Sequence, residues 1–403
     1  MISYQAARDR VVGDCGVIDP VVVPIEAALG SVLAGRVMAA DPVPPFVNTA
    51  MDGYAVRAAD VAGADGDAPA RLRVIGTLAA GSAPATVVGP GEALRIMTGA
   101  PFPAGADAVS IVEVTEVDGD DVVVRAAARP GDHIRQAGED IAAGSEVFGP
   151  GTVLGPGHLG VLASVGLARV GVHRRARVGV LSTGDELVAS GPLRLGQIRD
   201  SNRRTLLALA RRDGFEPVDL GIARDDENDI RAAIEAAVAG CDAVLTSGGV
   251  SMGDFDCVKK VLNDLGDMAW MQVAIRPAKP LAFGVLRGVP VFGLPGNPVS
   301  SMVSYELFAR PGLRRMSGHR DDDLDRPLVA AIADDDFRRR PDGRVNYQRV
   351  VAAFAPDGRC HVRSAGGQGS HQLHAMAVAN ALAVVPSGDG AAAGAELDTM
   401  LLA

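Results

Sequence analysis

The spacing of hydrophobic residues changes several times along this chain, and each change predicts a different kind of structure. Residues 1–40 have helical spacing: Tyr4, Ala7, Val11 and Val12 share one face, and a second amphipathic run extends from Pro24 to Met38. The segment DPVPPF (41–46) breaks that pattern, because proline fixes φ and removes backbone donors. From 46 to about 135 the text becomes strand-like, with RLRVIGTLAA, EALRIMTGA, DAVSIVEVTEV and DVVVRAAA separated by Gly, Pro and Asp. Residues 136–170 return to short strands and a Gly-rich helix, GPGHLGVLASVG.

Near residue 176 a regular alternation begins. The strands ARVGVLSTG, EPVDLGIA, DAVLTSGG, those around MAWMQVAI, and VPVFGLPG are interleaved with the helices SNRRTLLALARRDG, ENDIRAAIEAAVAG, FDCVKKVLNDLG and PVSSMVSYELFARPGL. Ser201 is placed to cap the first of these helices, and Gly214 stands just past its end. Strands and helices in alternation with short links predict a parallel, doubly wound αβα sheet. Ligands of such sheets bind beyond the C-terminal ends of the strands, where SGGVS and LPGNP both fall. After Ser317 the acidic turn GHRDDDLDRP leads into LVAAIA, VNYQRVVAAF, CHVRSAG and NALAVVP, a last β-rich piece. The expected fold class is therefore multidomain α/β. A linker domain is formed by 1–45 and 136–173, a β-rich inserted domain by 46–135, an αβα domain by 174–318, and a C-terminal β domain by 325–403.

Composition narrows the partners. At 403 residues with 48% hydrophobic but only 4% aromatic residues, Ala, Val, Leu and Gly must carry the packing, which suits layered α/β structure. A formal net charge of −10 disfavours a general nucleic-acid surface, so any anion site has to be a local gathering of cations. Cys15, Cys241, Cys257 and Cys360 form no CxxC pair and read as reduced thiols, not a disulfide frame or a zinc site. The opening MISYQAARDRVVGD has no signal-peptide core, and no uncharged run reaches membrane-spanning length. These features lead to the expectation of a soluble, cytoplasmic protein.

Candidate chemistry concentrates between Val244 and Pro311. VLTSGG and VPVFGLPG each end in glycines before a helix, which presents free N–H groups and a positive dipole end to an anion. Ser247, Gly248, Gly249 and Ser251 belong to the first cradle, and Pro295, Gly296, Asn297 and Ser300 to the second. Arg276 and Lys279 lie between them on a segment stiffened by Pro277 and Pro280, and suit a compact oxyanion. Acidic residues stand close by at Asp254 and Asp256, and at the same sheet edge in STGDEL (Asp185, Glu186) and RDD (Asp225, Asp226). Carboxylates near a phosphate site suit Mg²⁺ or the orientation of water. Ordinary structural duties compete with these readings: an acidic pair is commonly a solvated turn, and one of Asp225 and Asp226 is well explained as a helix cap. Asp52 of MDGYAV and Thr98 of IMTGAP fit plain turns, and Arg135 with Glu139 and Asp140 fits an ion pair in a linker. His371 and His374 read as surface or packing residues. There is no GxSxG elbow, P-loop or GxGxxG at a strand end.

MDGYAV, IMTGAP, RQAGEDI, STGDEL, RDD, SGGVSMGDFD, RPAKPLAFG and LPGNPVSS, in this order, closely resemble the molybdopterin molybdenumtransferase family. That family includes the bacterial enzyme of molybdenum cofactor synthesis and the E domain of gephyrin. The resemblance spans essentially the whole chain. It implies a four-domain homodimer that takes adenylylated molybdopterin, inserts molybdenum from molybdate into the dithiolene, and releases AMP with Mg²⁺ present. It also implies a site at the αβα domain, in a cleft shared with the inserted domain of the partner subunit. By motif, the resemblance carries catalytic roles to Asp52, Thr98, Glu186, Asp226, Asp256 and Lys279, and substrate contacts to Arg135 and Asp140. Glu186, Asp226 and Asp256 become the expected metal set. Transient contacts with an adenylyltransferase and with recipient molybdoenzymes follow from the same reading. One departure stands out: many members have KPGKP where this chain has Arg276-Pro-Ala-Lys279-Pro. A molybdopterin adenylyltransferase shares the αβα domain but carries a TGGTG-type loop on a far shorter chain. A non-catalytic scaffold and a paralogue of altered specificity compete with molybdenum insertion as well.

Overall fold

The computed structural model describes residues 1–249 and 257–402. Its first helix, Tyr4–Asp14, opens at Ser3, whose hydroxyl accepts the Ala6 N–H at 3.1 Å, and it buries Ala7 and Val11. The run from Pro24 to Met38 is not a helix. It holds one turn of 3₁₀ helix at Ile25–Ala27 and the short strands Val32–Leu33 and Val37–Met38. The preceding strand, Pro20–Pro24, contains three consecutive valines, whose branched Cβ favours pleated backbone, and Gly30 turns the chain at φ +75°. This strand pairs antiparallel with Arg169–His173, so the start of the chain shares one core with residues far along it, including Leu33, Leu154, Leu162 and Val172.

Residues 53–124 form a separate six-stranded sheet. Along its strand Gly53–Val56, alternate side chains feed different cores: Tyr54 and Val56 join one cluster, and Ala55 joins another.

The αβα region is built on β1 (Arg177–Thr183), α1 (Asn202–Arg212), β2 (Glu216–Ala223), α2 (Glu227–Gly240), β3 (Ala243–Ser247), α3 (Cys257–Leu265), β4 (Met268–Gln272), β5 (Ile275–Arg276), β6 (Pro280–Leu286), β7 (Val289–Leu294) and α4 (Pro298–Ser304). Its sheet has the order β2-β1-β3-β7-β6-β4. β1, β2, β3 and β7 are parallel as expected, but the sheet is mixed, because β6 runs antiparallel to both of its neighbours. The cause is the two-residue turn between β6 and β7. Arg287 (φ +50°) and Gly288 (φ +85°) both take left-handed backbone, the geometry of a tight hairpin.

Helix ends also differ from expectation. Ser201 makes no capping bond at α1; Asp200, one residue earlier, accepts the Arg203 N–H at 3.2 Å. Gly214, at φ +86°, lies past the end of α1 as predicted. Asp226 caps α2, its Oδ1 accepting the N–H groups of Asn228 (2.9 Å) and Asp229 (3.1 Å).

The C-terminal strands Leu328–Ala333, Val345–Phe354 (β8), Cys360–Ser364, Ala381–Val385 and Glu396–Leu401 close on themselves, because β8 pairs with both Cys360–Ser364 and Ala381–Val385. β5 of the αβα region joins β8 in parallel, with Ile275 opposite Val345 and Arg276 opposite Asn346.

At the opposite end of α1, Asp213 and Glu306 have side chains only 4% and 1% exposed. Arg212 bridges both, and so does Arg326, which begins the C-terminal piece; the Tyr305 hydroxyl donates to Asp213 at 3.0 Å. Burial works against the Asp213 charge, but Arg212 and Arg326 hold its pKa below the ordinary carboxylate value. Removing one member strands the others as unpaired buried charge. Asp213→Ala is therefore expected to cost about 3–5 kcal/mol, read as a lowered urea midpoint. For α2, Asp226→Ala should cost about 1 kcal/mol, while Asp226→Asn keeps most of that stability in a thermal melt, because Asn is as good a cap.

Candidate active site

Loops from the C-terminal ends of β1, β3 and β7 converge with the start of α1 on a cavity of about 160 Å³. Glu186, Asp200, Asn202, Ser247, Gly248 and Gly296 are among its walls. Gly248 sits at φ +100° and donates its N–H to the Leu294 carbonyl at 3.1 Å, joining the ends of β3 and β7. A Cβ on Gly248 would meet the Thr183 carbonyl oxygen at 3.0 Å, so glycine lets three strand ends close up. Asn202 ties the two anion loops together, its Nδ2 donating to Ser247 Oγ (2.8 Å) and to the Gly296 carbonyl (2.7 Å).

Glu186 lies in the cavity wall with its carboxylate folded back over Gly184. A Cβ there would stand 2.4 Å from Oε2, so this glycine admits the side chain's position. Asp185 instead pairs with Asp225: each backbone N–H points at the other's carboxylate, at 3.4 and 3.3 Å. Asp226 uses Oδ1 to cap α2. Asp256, Asp254 and Ser251 lie outside the described residues. Among the described residues, no group of three or more His, Cys, Asp or Glu is arranged to hold a metal ion. Of the expected set of Glu186, Asp226 and Asp256, the last lies outside the described residues and so outside that statement.

Pro295 is buried at the end of β7, and Gly296 and Asn297 are exposed where α4 begins. Ser300 is buried at 4% exposure within α4. Arg276 and Lys279 are exposed and do not line the cavity. Among the described residues, neither has a carboxylate within ion-pair distance. Ala278, between them, is buried with φ +74°, a left-handed conformation that the glycine of KPGKP would adopt without strain.

The C-terminal barrel completes this basic corner with a residue that no sequence motif pointed to. Arg349 on β8 is fully buried, donates to the Gly367 (2.9 Å) and Gly369 (3.1 Å) carbonyls, and has no partner for Nε among the described residues. Burial pushes its pKa down to about 10, and the Arg276 charge adds to that. The same glycine loop reaches α4, where the Ser370 carbonyl accepts the Val299 N–H at 3.1 Å.

In the inserted domain, Asp52 Oδ1 accepts both the backbone N–H (2.7 Å) and the hydroxyl (2.8 Å) of Thr98. Those bonds lower the pKa of this exposed carboxylate. The pair joins MDGYAV to IMTGAP across 46 positions of sequence. Arg135 does not pair with Glu139 or Asp140. Its short strand (Ile134–Arg135) lies opposite Asn48–Thr49, Glu139 accepts the Gln136 N–H at 2.9 Å, and the Asp140 N–H bonds to the Val43 carbonyl at 3.0 Å. None of Asp52, Thr98, Arg135 and Asp140 lines the αβα cavity within one chain.

Three family models match the chain in order: "MoeA N-terminal region (domain I and II)" over residues 2–166, "Probable molybdopterin binding domain" over 179–315, and "MoeA C-terminal region (domain IV)" over 330–402. Molybdopterin molybdenumtransferase 2 of Mycobacterium tuberculosis is 40% identical over 374 residues, covering 91% of each chain. The molybdopterin molybdenumtransferase of Haemophilus influenzae is 38% identical over 379 residues, covering 93% of this chain and 92% of its own. Among solved structures, a molybdopterin biosynthesis MoeA protein from Pyrococcus horikoshii OT3 superposes with a TM-score of 0.85 at 29% identity, covering 100% of both chains. Identity at this level across the full length, with the same three regions in the same order, shows that the chain belongs to the molybdopterin molybdenumtransferase family.

Proposed function

We propose that this protein inserts molybdenum from molybdate into adenylylated molybdopterin and releases AMP, yielding molybdenum cofactor. The observation that carries this reading is the convergence of two glycine-ended loops, clamped by Asn202, beside a corner of three cations, Arg276, Lys279 and Arg349. Backbone N–H groups at the ends of β3 and β7 suit phosphoryl oxygens, and the cation corner suits a tetrahedral oxyanion such as molybdate. What supports setting the two side by side is that Pro298 lines the cavity while the N–H of Val299 bonds to the barrel loop. The reaction then needs little proton transfer by side chains. Holding the pterin phosphate, the AMP phosphate and molybdate in one geometry, with their charges matched by fixed donors, supplies most of the acceleration.

For a divalent cation such as Mg²⁺, the described residues offer the cavity Glu186, an exposed carboxylate without a hydrogen bond among them, and Asp256 is proposed to join it. The part of Glu186 in the proposal is to orient the reacting phosphoryl group or its water. The Asp52–Thr98 pair, with Arg135 and Asp140, is proposed to reach the cavity of a second copy, which makes the working form a homodimer. Its proposed partners are an adenylyltransferase that hands over the substrate and the molybdoenzymes that receive the product. A cytoplasmic setting accords with four unpaired cysteines.

Purified chain incubated with adenylylated molybdopterin and molybdate should consume both and release AMP. Adenylyl transfer from ATP to molybdopterin would instead make it an adenylyltransferase. Glu186→Ala should abolish AMP release without changing the melting curve, and full turnover by that variant would remove Glu186 from the mechanism. Lys279→Ala should raise the molybdate concentration for half-maximal insertion roughly tenfold, the scale of one charge-assisted contact. An unchanged molybdate response would place the oxyanion elsewhere.

A further inference from the structure

A second cavity, about 300 Å³, lies at the far end of α1, between that helix end, residues 30–32 and residues 173–175. Asn202, the first residue of α1, lines the candidate active-site cavity, and Arg212, the last, lines this one. An α-helix rises 1.5 Å per residue, so the two lie about 15 Å apart on opposite edges of the sheet.

The walls hold Arg174, Arg175, Arg212, Arg310, Arg314 and Arg326. Among the described residues, three carboxylates approach these six guanidinium groups within ion-pair distance: Asp242 at Arg174, and Asp213 and Glu306 at Arg212 and Arg326. Arg310 reaches Asp213 only at 3.5 Å, without a hydrogen bond. Arg314 and Arg175 donate to main-chain carbonyls alone among the described residues, those of Asp323 and Leu29. In a chain of net charge −10, this surplus of positive charge is local and concentrated.

Donors are left over as well as charge. Arg310 Nε and Ser317 Oγ belong to cavity-lining residues only 5% and 6% exposed, and neither atom has a hydrogen-bond partner among the described residues. A buried polar atom without a partner is unfavourable; Arg310 Nε has the Asp213 carboxylate 3.5 Å away, which leaves Ser317 Oγ as the donor without an acceptor. The two histidines of the wall, His173 and His319, each place Nδ1 on a main-chain carbonyl, at 2.8 and 3.0 Å. Burial, and then the Arg314 charge, push the His319 pKa down to about 4.

We propose that this cavity binds a phosphate-type oxyanion, either free or carried on a small phosphomonoester. Its charge would answer the guanidinium groups of Arg175 and Arg314, which reach main-chain carbonyls alone among the described residues, and Ser317 Oγ would turn to donate to one of its oxygens. The volume exceeds that of one tetrahedral anion, which leaves room for a second phosphoryl group or a short organic body. The site is independent of the molybdate corner, because it shares no residue with it.

Calorimetric titration of the full chain with inorganic phosphate, pyrophosphate and glycerol 3-phosphate, at matched chloride ionic strength, tests this directly. Saturable one-to-one binding of at least one probe is expected, weakened roughly tenfold by Ser317→Ala and by Arg314→Gln, and unaffected by Lys279→Ala. Arg175→Gln, at an exposed position, gives the same readout should Arg314→Gln fail to fold. Tighter binding of phosphate or pyrophosphate identifies a free anion, and tighter binding of glycerol 3-phosphate an ester-borne one. No saturable binding of any probe overturns the proposal. So does binding that Lys279→Ala abolishes while Ser317→Ala and Arg175→Gln leave it intact.

Discussion

Asp213 and Glu306 are nearly sealed from water, and each needs its arginines to remain charged there. Those arginines come from three places in the sequence: Arg212 at the end of α1, Arg310 in the helical run that follows α4, and Arg326 at the entry to the C-terminal barrel. Desolvated charges of this kind are costly to separate, so the cluster fixes how the αβα sheet, its last helix and the barrel meet. Everything functional at the other edge of the sheet inherits that fixed relation. α1 runs from the ion cluster to Asn202, and the barrel carries Arg349 to the basic segment.

The loop edge of the sheet is held by small, directional contacts. Gly248 lets three strand ends close up, Asn202 spans the two loops, and Gly184 leaves room for the Glu186 carboxylate. Each depends on a residue too small or too polar to contribute to a hydrophobic core. The cores below, with Phe283, Phe292 and Leu294 among their members, supply the rigidity that makes such placement hold.

Much of this was readable from local pattern. The segment ENDIRAAIEAAVAG is helix α2 to the residue, and the sheet edge that receives the ligand loops follows from strand–helix alternation. The failures share a physical cause. The run Pro24–Met38 has helical spacing, but its short strands complete a core with distant residues such as Leu154, Leu162 and Val172, which no local window can see. Arg135 and Glu139 are close in sequence, yet a turn bond takes Glu139 away. The cap that the sequence offered for one of Asp225 and Asp226 falls to Asp226. Asn202 stood at a predicted helix start on the ligand edge and so was within reach of sequence reasoning. Arg349 was not, since only the pairing of β5 with β8 brings it to Arg276.

The two-residue pairing of β5 with β8 gives the barrel a status its position in the chain conceals. Ile275 and Arg276 are covalently part of the αβα region, yet they are registered against a strand of the C-terminal domain. The boundary between those two units therefore passes through the basic corner. The barrel is a neighbour of that corner rather than an appendage, and an excised αβα region would keep its glycine-ended loops while losing the strand that Arg276 pairs with.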